Sequence, residues 1–326
     1  MAQLTMIQAI NATLVETMEE DERVMVLGED VGKNGGVFRV TDKLQERFGE
    51  ERVVDTPLAE AGIIGSSIGL AVNGFRPIAE IQFAGFLYPA FDQLASQAAR
   101  FRLRSGGRYP VPLVVRVPFS GGIRAPELHS DSFEALFAHT PGLKVAIPSD
   151  PYEAKGLLRS AIEDPDPVLF LEPMKLYRTK GEVPDEPYSI PLGEAKVVKE
   201  GEDVTVVAWG PTVPLALKAA EALEERRGTS VEVVDLRTVA PFDRETVANS
   251  VEKTGRAVVV HEAPKTGGFG AEVAAGIMEG AFLRLEAPVG RVCGYDTAYP
   301  GAFQAENEWM PDLRRLTTAI EEALDY

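Results

Sequence analysis

Two carboxylates and one histidine stand where their chemistry would count. Glu60 closes the run Asp55-Thr56-Pro57-Leu58-Ala59-Glu60 and leads into AGIIGSSIGLAV, a stretch without charge. Thr56 is a natural N-cap and Pro57 suits a first helical position, so the spacing predicts a helix from Pro57. A capping box would put its glutamate at residue 59, one place earlier than Glu60. One reading of Glu60 is an acid favoured by the helix dipole. The small, uncharged residues behind it predict a tightly packed, buried helix. A carboxyl at the mouth of such a helix is desolvated and its pKa rises toward neutrality. That makes a group able to exchange a proton at pH 7. Glu29, in VLGEDVG, ends a predicted strand at the same sheet edge; taken alone it reads as a solvated loop acid.

His129 lies in SGGIRAPELHSDSFEAL, between a predicted strand and a predicted helix. Gly121-Gly122 marks a flexible loop, and loops after parallel strands are where α/β proteins bind ligands. A lone loop histidine is more often an ordinary polar residue, and His139 and His261 have no comparable surroundings. GGFG at 267–270 follows a strand but lacks the full GxGxxG spacing, so it reads as a turn ahead of an anion site. There is no GxxxxGK[ST] loop. With one cysteine, Cys293, and three histidines, neither a disulfide nor a Cys/His metal cluster is available.

The elements that must position these residues follow an α/β rhythm. Short apolar runs at 23–29, 52–55, 76–83, 111–118, 143–149 and 167–173 read as strands, with helices near 7–18, 87–104 and 152–162. The stretch 176–192 carries Pro184, Pro187 and Pro191 and reads as a linker. Beyond it the rhythm restarts with strands in DVTVVAWG, SVEVVDLR, RAVVVHEA and GRVCGYD and helices between them. The fold class expected is therefore α/β, with two doubly wound domains and mostly parallel sheets: 1–175, the linker, and 193–326. The length of 326 residues suits about two domains of roughly 150 residues each. Lys and Arg number 33 against 50 Asp and Glu, a net charge of −17, which argues against nucleic acid or anionic membranes as partners. The N-terminus has neither a basic start nor transit-peptide composition, and the uncharged run 61–75 is too short to span a bilayer. A cytoplasmic protein is expected.

LGEDVG (27–32), DTPLAEAGIIGSSIGLA (55–71), EIQFAGFLYPAFDQ (80–93), HSDS (129–132), PGLKVAIPSDPYEAKGLL (141–158) and VVDLRTVAPFD (233–243) occur in this order. On these motifs the chain closely resembles, over almost its whole length, the β subunit of the thiamine-diphosphate-dependent first component of 2-oxo acid dehydrogenase complexes. The resemblance implies a pyrimidine-binding domain followed by a transketolase C-terminal-like domain. It implies that Glu60 hydrogen-bonds the aminopyrimidine ring nitrogen, so that the thiazolium loses its proton and the cofactor serves as electron sink for loss of CO₂. Glu29, Leu58, Gln82 and Phe86 would join Glu60 around the cofactor. His129 would face the substrate and assist proton transfer or acyl transfer to lipoamide.

No GDG start occurs in the sequence, so the Mg2+ and the diphosphate grip are expected from an α subunit in an α2β2 heterotetramer. The other partners implied are the dihydrolipoyl acyltransferase component and a 2-oxo acid. A potassium site of mainly backbone carbonyls is implied at Leu113, Ala161, Ile162, Asp164 and Asp166, where relatives often have Asn at the last position; the alternative is a helix C-terminus closed by EDPDP without an ion. Phe86 and APELHSDS resemble pyruvate-specific members, with branched-chain 2-oxo acids and acetoin as alternatives. Two other classes remain beside these: a non-catalytic scaffold subunit, and half of a sugar-phosphate transferase. The second predicts clustered Arg and His, which the sequence lacks.

Overall fold

Apolar runs without alternation belong to strands covered on both faces, and such runs form the centre of both sheets here. The computed structural model describes residues 1–124 and 127–326 and divides them into two units. The first comprises Met1–Phe119 and Leu136–Leu192, the second Ser120–Ala135 and Gly193–Tyr326. In chain order the elements begin with β1 (Ala2–Thr5), α1 (Met6–Glu20), β2 (Val24–Gly28), α2 (Leu44–Phe48), β3 (Val53–Asp55), α3 (Glu60–Val72) and β4 (Arg76–Glu80). After a 3-10 turn (Ala84–Ala90) and a π-helical turn (Gln93–Ala98) come α4 (Ala99–Arg104), β5 (Val114–Phe119), α5 (Glu134–Ala138), β6 (Lys144–Ala146), α6 (Pro151–Glu163), β7 (Val168–Pro173) and β8 (Lys180–Val183). The chain continues through β9 (Lys196–Lys199), β10 (Val204–Ala208), α7 (Val213–Arg227), β11 (Val231–Asp235), β12 (Thr238–Ala240), α8 (Arg244–Thr254) and β13 (Ala257–Pro264). It ends with α9 (Gly270–Ala281), β14 (Gly290–Gly294), α10 (Phe303–Trp309) and α11 (Leu313–Leu324).

The first unit's main sheet runs β6-β7-β5-β4-β2-β3, with every pair parallel. The second unit's sheet runs β14-β13-β10-β11-β9, parallel except for the β9 edge. The expected fold class is the one observed. Local signals fix several helix starts: Thr5 and Gln8 form a capping box at α1, and Asp150 accepts the Glu153 amide at α6 with Pro151 behind it.

Three local expectations need correction. The helix expected from Pro57 starts at Glu60, because the Thr56 amide is drawn to the Gly28 carbonyl at 2.9 Å and extends the strand end instead. That helix is buried on one face only: Ile63, Ile64, Ser67, Ile68 and Ala71 are covered, while Gly62, Gly65, Ser66 and Gly69 are exposed. Absence of charge therefore did not mean burial in this chain. The proline-rich stretch 176–192 is not a free tether. Within it β8 pairs antiparallel with β1, Ile190 is buried and donates its amide to the Gly156 carbonyl, and Lys155 reaches the Pro184 carbonyl.

Candidate functional site

Adjacent parallel strands bring the expected cofactor residues to one edge of the first sheet. Glu29 follows β2, Leu58 and Glu60 follow β3, and Gln82 and Phe86 follow β4, all at the C-terminal ends where open α/β sheets bind ligands. Gly28 is required here because a Cβ would stand 2.6 Å from the Glu80 carbonyl oxygen on the neighbouring strand. Helix α3, which opens with Glu60, packs against the 3-10 turn carrying Phe86. The Phe86 ring meets Phe83 edge-on at 5.5 Å, and Phe83 meets Phe38 at 5.6 Å, so the turn presents an aromatic wall. Leu58 is 71% exposed, an apolar side chain left in water at the rim of the same edge.

The electrostatics single out Glu29. Glu60 is half-exposed, not sunk into the protein as the sequence suggested. Glu29 has its pKa raised, first by burial and then by the negative charges of Asp30 and Glu60. Glu29, Asp30 and Glu60 form no ion pair among the described residues, although Asp30 accepts hydrogen bonds from Asn34 and, at 3.4 Å, from Gln82 Nε2. Thr56 Oγ1 is buried beside this edge without a hydrogen-bond partner among the described residues. Such a set of acceptors calls for a ligand rich in N–H donors and weakly cationic, which an aminopyrimidine satisfies. It does not call for a diphosphate. Among the described residues no cluster of three His, Cys, Asp or Glu is placed to hold a metal ion.

Sequence reasoning missed the charged network below this edge. Arg116, fully buried on β5, donates from Nε to Glu172 Oε1 at 2.6 Å and from Nη1 to Glu80 Oε2 at 2.7 Å. Tyr177 donates its hydroxyl to Glu172 at 2.7 Å. Two carboxylates share one guanidinium, and burial pushes the Glu80 carboxyl up despite Arg116. The signal was present in VVRVP and VLFLEP, where a charge interrupts a run otherwise fit only for a core.

His129 is half-exposed on the loop that the second unit claims, and its Nδ1 lies 2.9 Å from the Glu127 carbonyl oxygen. Ala125 and Pro126 of the APELHSDS motif fall outside the described residues. The Gly121-Gly122 pair, expected to be flexible, is clasped: Glu262 accepts the Gly121 amide at 3.1 Å and Glu306 the Gly122 amide at 2.7 Å.

GGFG at 267–270 is explained by packing. A Cβ on Gly268 would stand 2.6 Å from His261 Cε1, and one on Gly270 would stand 2.6 Å from Cδ2 of the same ring. His261 is buried, stacks on Trp209 at 5.2 Å and has Nε2 3.2 Å from Cys293 Sγ. Burial pushes its pKa down to about 3 and that of Cys293 up to about 11, so both are neutral at pH 7. Trp209 Nε1 donates to Glu134, itself buried with its pKa raised by desolvation.

The oxygens of the potassium expectation already have partners in four of its five residues. Ile162 O accepts from Arg76 Nη1 at 2.7 Å, and Leu113 O accepts the Val168 amide at 2.9 Å. Asp164 pairs with Lys144 and Asp166 with Arg102, each at 2.5 Å. Arg76, Lys144 and Arg102 thus already hold Ile162, Asp164 and Asp166, so a further cation would meet repulsion at three of the five residues where the family resemblance implies a cage of oxygens.

Residues 2–180 match the family model "Transketolase, pyrimidine binding domain", and residues 193–316 match "Transketolase, C-terminal domain". The chain is 57% identical to the pyruvate dehydrogenase E1 component subunit beta of Staphylococcus epidermidis and 55% identical to that of Staphylococcus aureus, covering 100% of both chains in each comparison. Among solved structures it resembles a split-gene transketolase described as an inactive beta4 tetramer, with TM-score 0.80, 26% identity and 99% coverage of each chain.

Proposed function

The chain belongs to the family of pyruvate dehydrogenase E1 component β subunits, and from that premise we propose how its residues serve the thiamine-diphosphate-dependent decarboxylation of pyruvate. Bound thiamine diphosphate supplies the nucleophilic carbon and the electron sink for loss of CO₂. Glu60 shares a proton with the aminopyrimidine ring nitrogen through its carboxylate. Glu29, its pKa raised first by burial and then by the charges of Asp30 and Glu60, is the second acid of this edge and stands beside Glu60. Phe86 and Leu58 give the pyrimidine an apolar slot, and Gln82 orients the acids through Asp30. His129 faces the substrate and assists proton transfer or delivery of the acyl group to the lipoyl arm of the acyltransferase component.

The observation that carries this reading is the gathering of Glu29, Asp30 and Glu60, without an ion-pair partner among the described residues, at the C-terminal edge of a parallel sheet. An edge with this charge repels a diphosphate. We therefore assign Mg2+ and the diphosphate to an α subunit, in an α2β2 assembly working in the cytoplasm. No helix among the described residues is long and apolar enough to cross a membrane. The domains 1–175 and 193–326 take the pyrimidine-binding and transketolase C-terminal-like roles. Release of CO₂ from pyruvate, measured for the β chain alone and with a co-expressed α chain, tests the division of labour. Turnover is expected only with both chains, and robust turnover by the β chain alone overturns it.

A further inference from the structure

The loop that carries His129 is held at its start by two buried carboxylates from far along the chain. Glu306, on α10 and 2% exposed, accepts the backbone amides of Gly122 at 2.7 Å and Arg124 at 3.3 Å, and also the hydroxyl of Tyr299. Glu262, at the end of β13 and 5% exposed, accepts the Gly121 amide at 3.1 Å. The Arg124 guanidinium lies 3.7 Å over the Phe303 ring, one helical turn before Glu306. The local sequence is shaped to this clasp. The Tyr299 hydroxyl occupies the place a Cβ on Gly121 would need, and Gly122 has φ +92°, so neither position accepts an ordinary side chain without strain. Tyr299 is itself braced by an edge-on contact with Trp309 at 5.0 Å.

A buried carboxylate that accepts successive backbone amides fixes a turn more firmly than neutral acceptors do, because charge-assisted hydrogen bonds are roughly twice as strong. The core cluster of Val204, Val206, Val231, Val258 and Leu316 includes none of residues 120–124. We propose that Glu306, with Tyr299, is a positioning residue for the reaction: it fixes the turn at Gly121–Arg124 from which the loop presents His129. The proposal rests on the reading of His129 as the substrate-facing residue.

The test uses the assembled α and β chains with Glu306→Ala, Glu306→Gln and His129→Ala, alone and in pairs. Hydrogen exchange at the Gly122 and Arg124 amides is expected to speed up at least tenfold in Glu306→Ala and to be partly restored in Glu306→Gln, whose amide oxygen still accepts. Turnover is expected to fall in Glu306→Ala with thiamine diphosphate affinity unchanged. In the Glu306→Ala/His129→Ala pair it should fall no further than in His129→Ala alone, since one residue acts through the other. Additive losses in the pair, or unchanged amide exchange in Glu306→Ala, overturn the proposal. Should Glu306→Ala fail to assemble, Tyr299→Phe, which removes one donor and leaves the carboxylate in place, must raise exchange at Gly122 or the proposal falls. If His129→Ala alone leaves turnover unchanged, the reading of His129 is lost, and the exchange measurement still judges the clasp.

Discussion

At the ends of β2, β3 and β4, Glu29, Asp30 and Glu60 face an open edge with no ion-pair partner among the described residues, and Leu58 stands beside them in water. At the ends of β10, β13 and β14 in the second sheet, Trp209, His261 and Cys293 are packed together, neutral and covered by the glycines of 267–270. Both are C-terminal edges of parallel strands, the position where α/β proteins bind ligands. Position in the fold is thus shared, and the state of the polar groups is not. The first edge keeps uncompensated charge that costs stability and awaits a partner. The second has traded charge for packing. A site is recognised by what its fold leaves unsatisfied at a solvent-reachable edge.

The largest effect expected from breaking this contrast is catalytic. Glu60→Gln removes a proton-transfer group at the open edge and should lower pyruvate turnover of the assembled enzyme 10²–10⁴-fold. As Glu60 is half-exposed, the melting temperature should hardly move; calorimetry beside the rate assay separates the two. The sealed edge should behave the opposite way. Gly268→Ala forces a methyl against the His261 ring and should destabilise the chain by about 1–3 kcal/mol through overpacking. Denaturant titration would show this.

A smaller effect carries a sign. Glu29 has a folded-state pKa above its ordinary value, so the native state holds its proton more tightly than the unfolded chain does. Its contribution is favourable while it stays protonated and is lost as pH rises from the ordinary carboxylate range through the raised value. Glu29→Gln should therefore raise the melting temperature of the β chain at pH 7, with the gain disappearing near about pH 4. His261 runs the other way: with its pKa pushed down to about 3, it favours the native state less as pH falls below about 6.5, where the unfolded chain takes up the proton. The smallest expectation is no change. Replacing potassium with choline at equal ionic strength should leave the melting temperature of the β chain as it was, since Arg76, Arg102 and Lys144 already hold Ile162, Asp166 and Asp164.

Much of this was legible in residue order. The helices expected near 7–18 and 152–162 form as Met6–Glu20 and Pro151–Glu163, and the buried strands follow their apolar runs. The one-sided burial of α3 was not legible, because small uncharged residues suit a core and an exposed face equally. Neither was the clasp on Gly121-Gly122, since Glu262 and Glu306 come from 141 and 184 residues away. The family motifs supplied Glu29 and Glu60 alike, while the environment that raises the pKa of Glu29 appeared only in the structure. Carboxylate environments depend on which strand ends become neighbours, and sequence spacing does not state that.

On this reading the open acidic edge activates the cofactor through Glu60. The most direct test is hydrogen–deuterium exchange at the reactive thiazolium carbon in the assembled enzyme, wild type against Glu60→Gln, with thiamine diphosphate saturating and pyruvate absent. Exchange is expected to slow by at least 10²-fold in the variant while the fold and assembly are retained. Exchange at the wild-type rate in Glu60→Gln would contradict it.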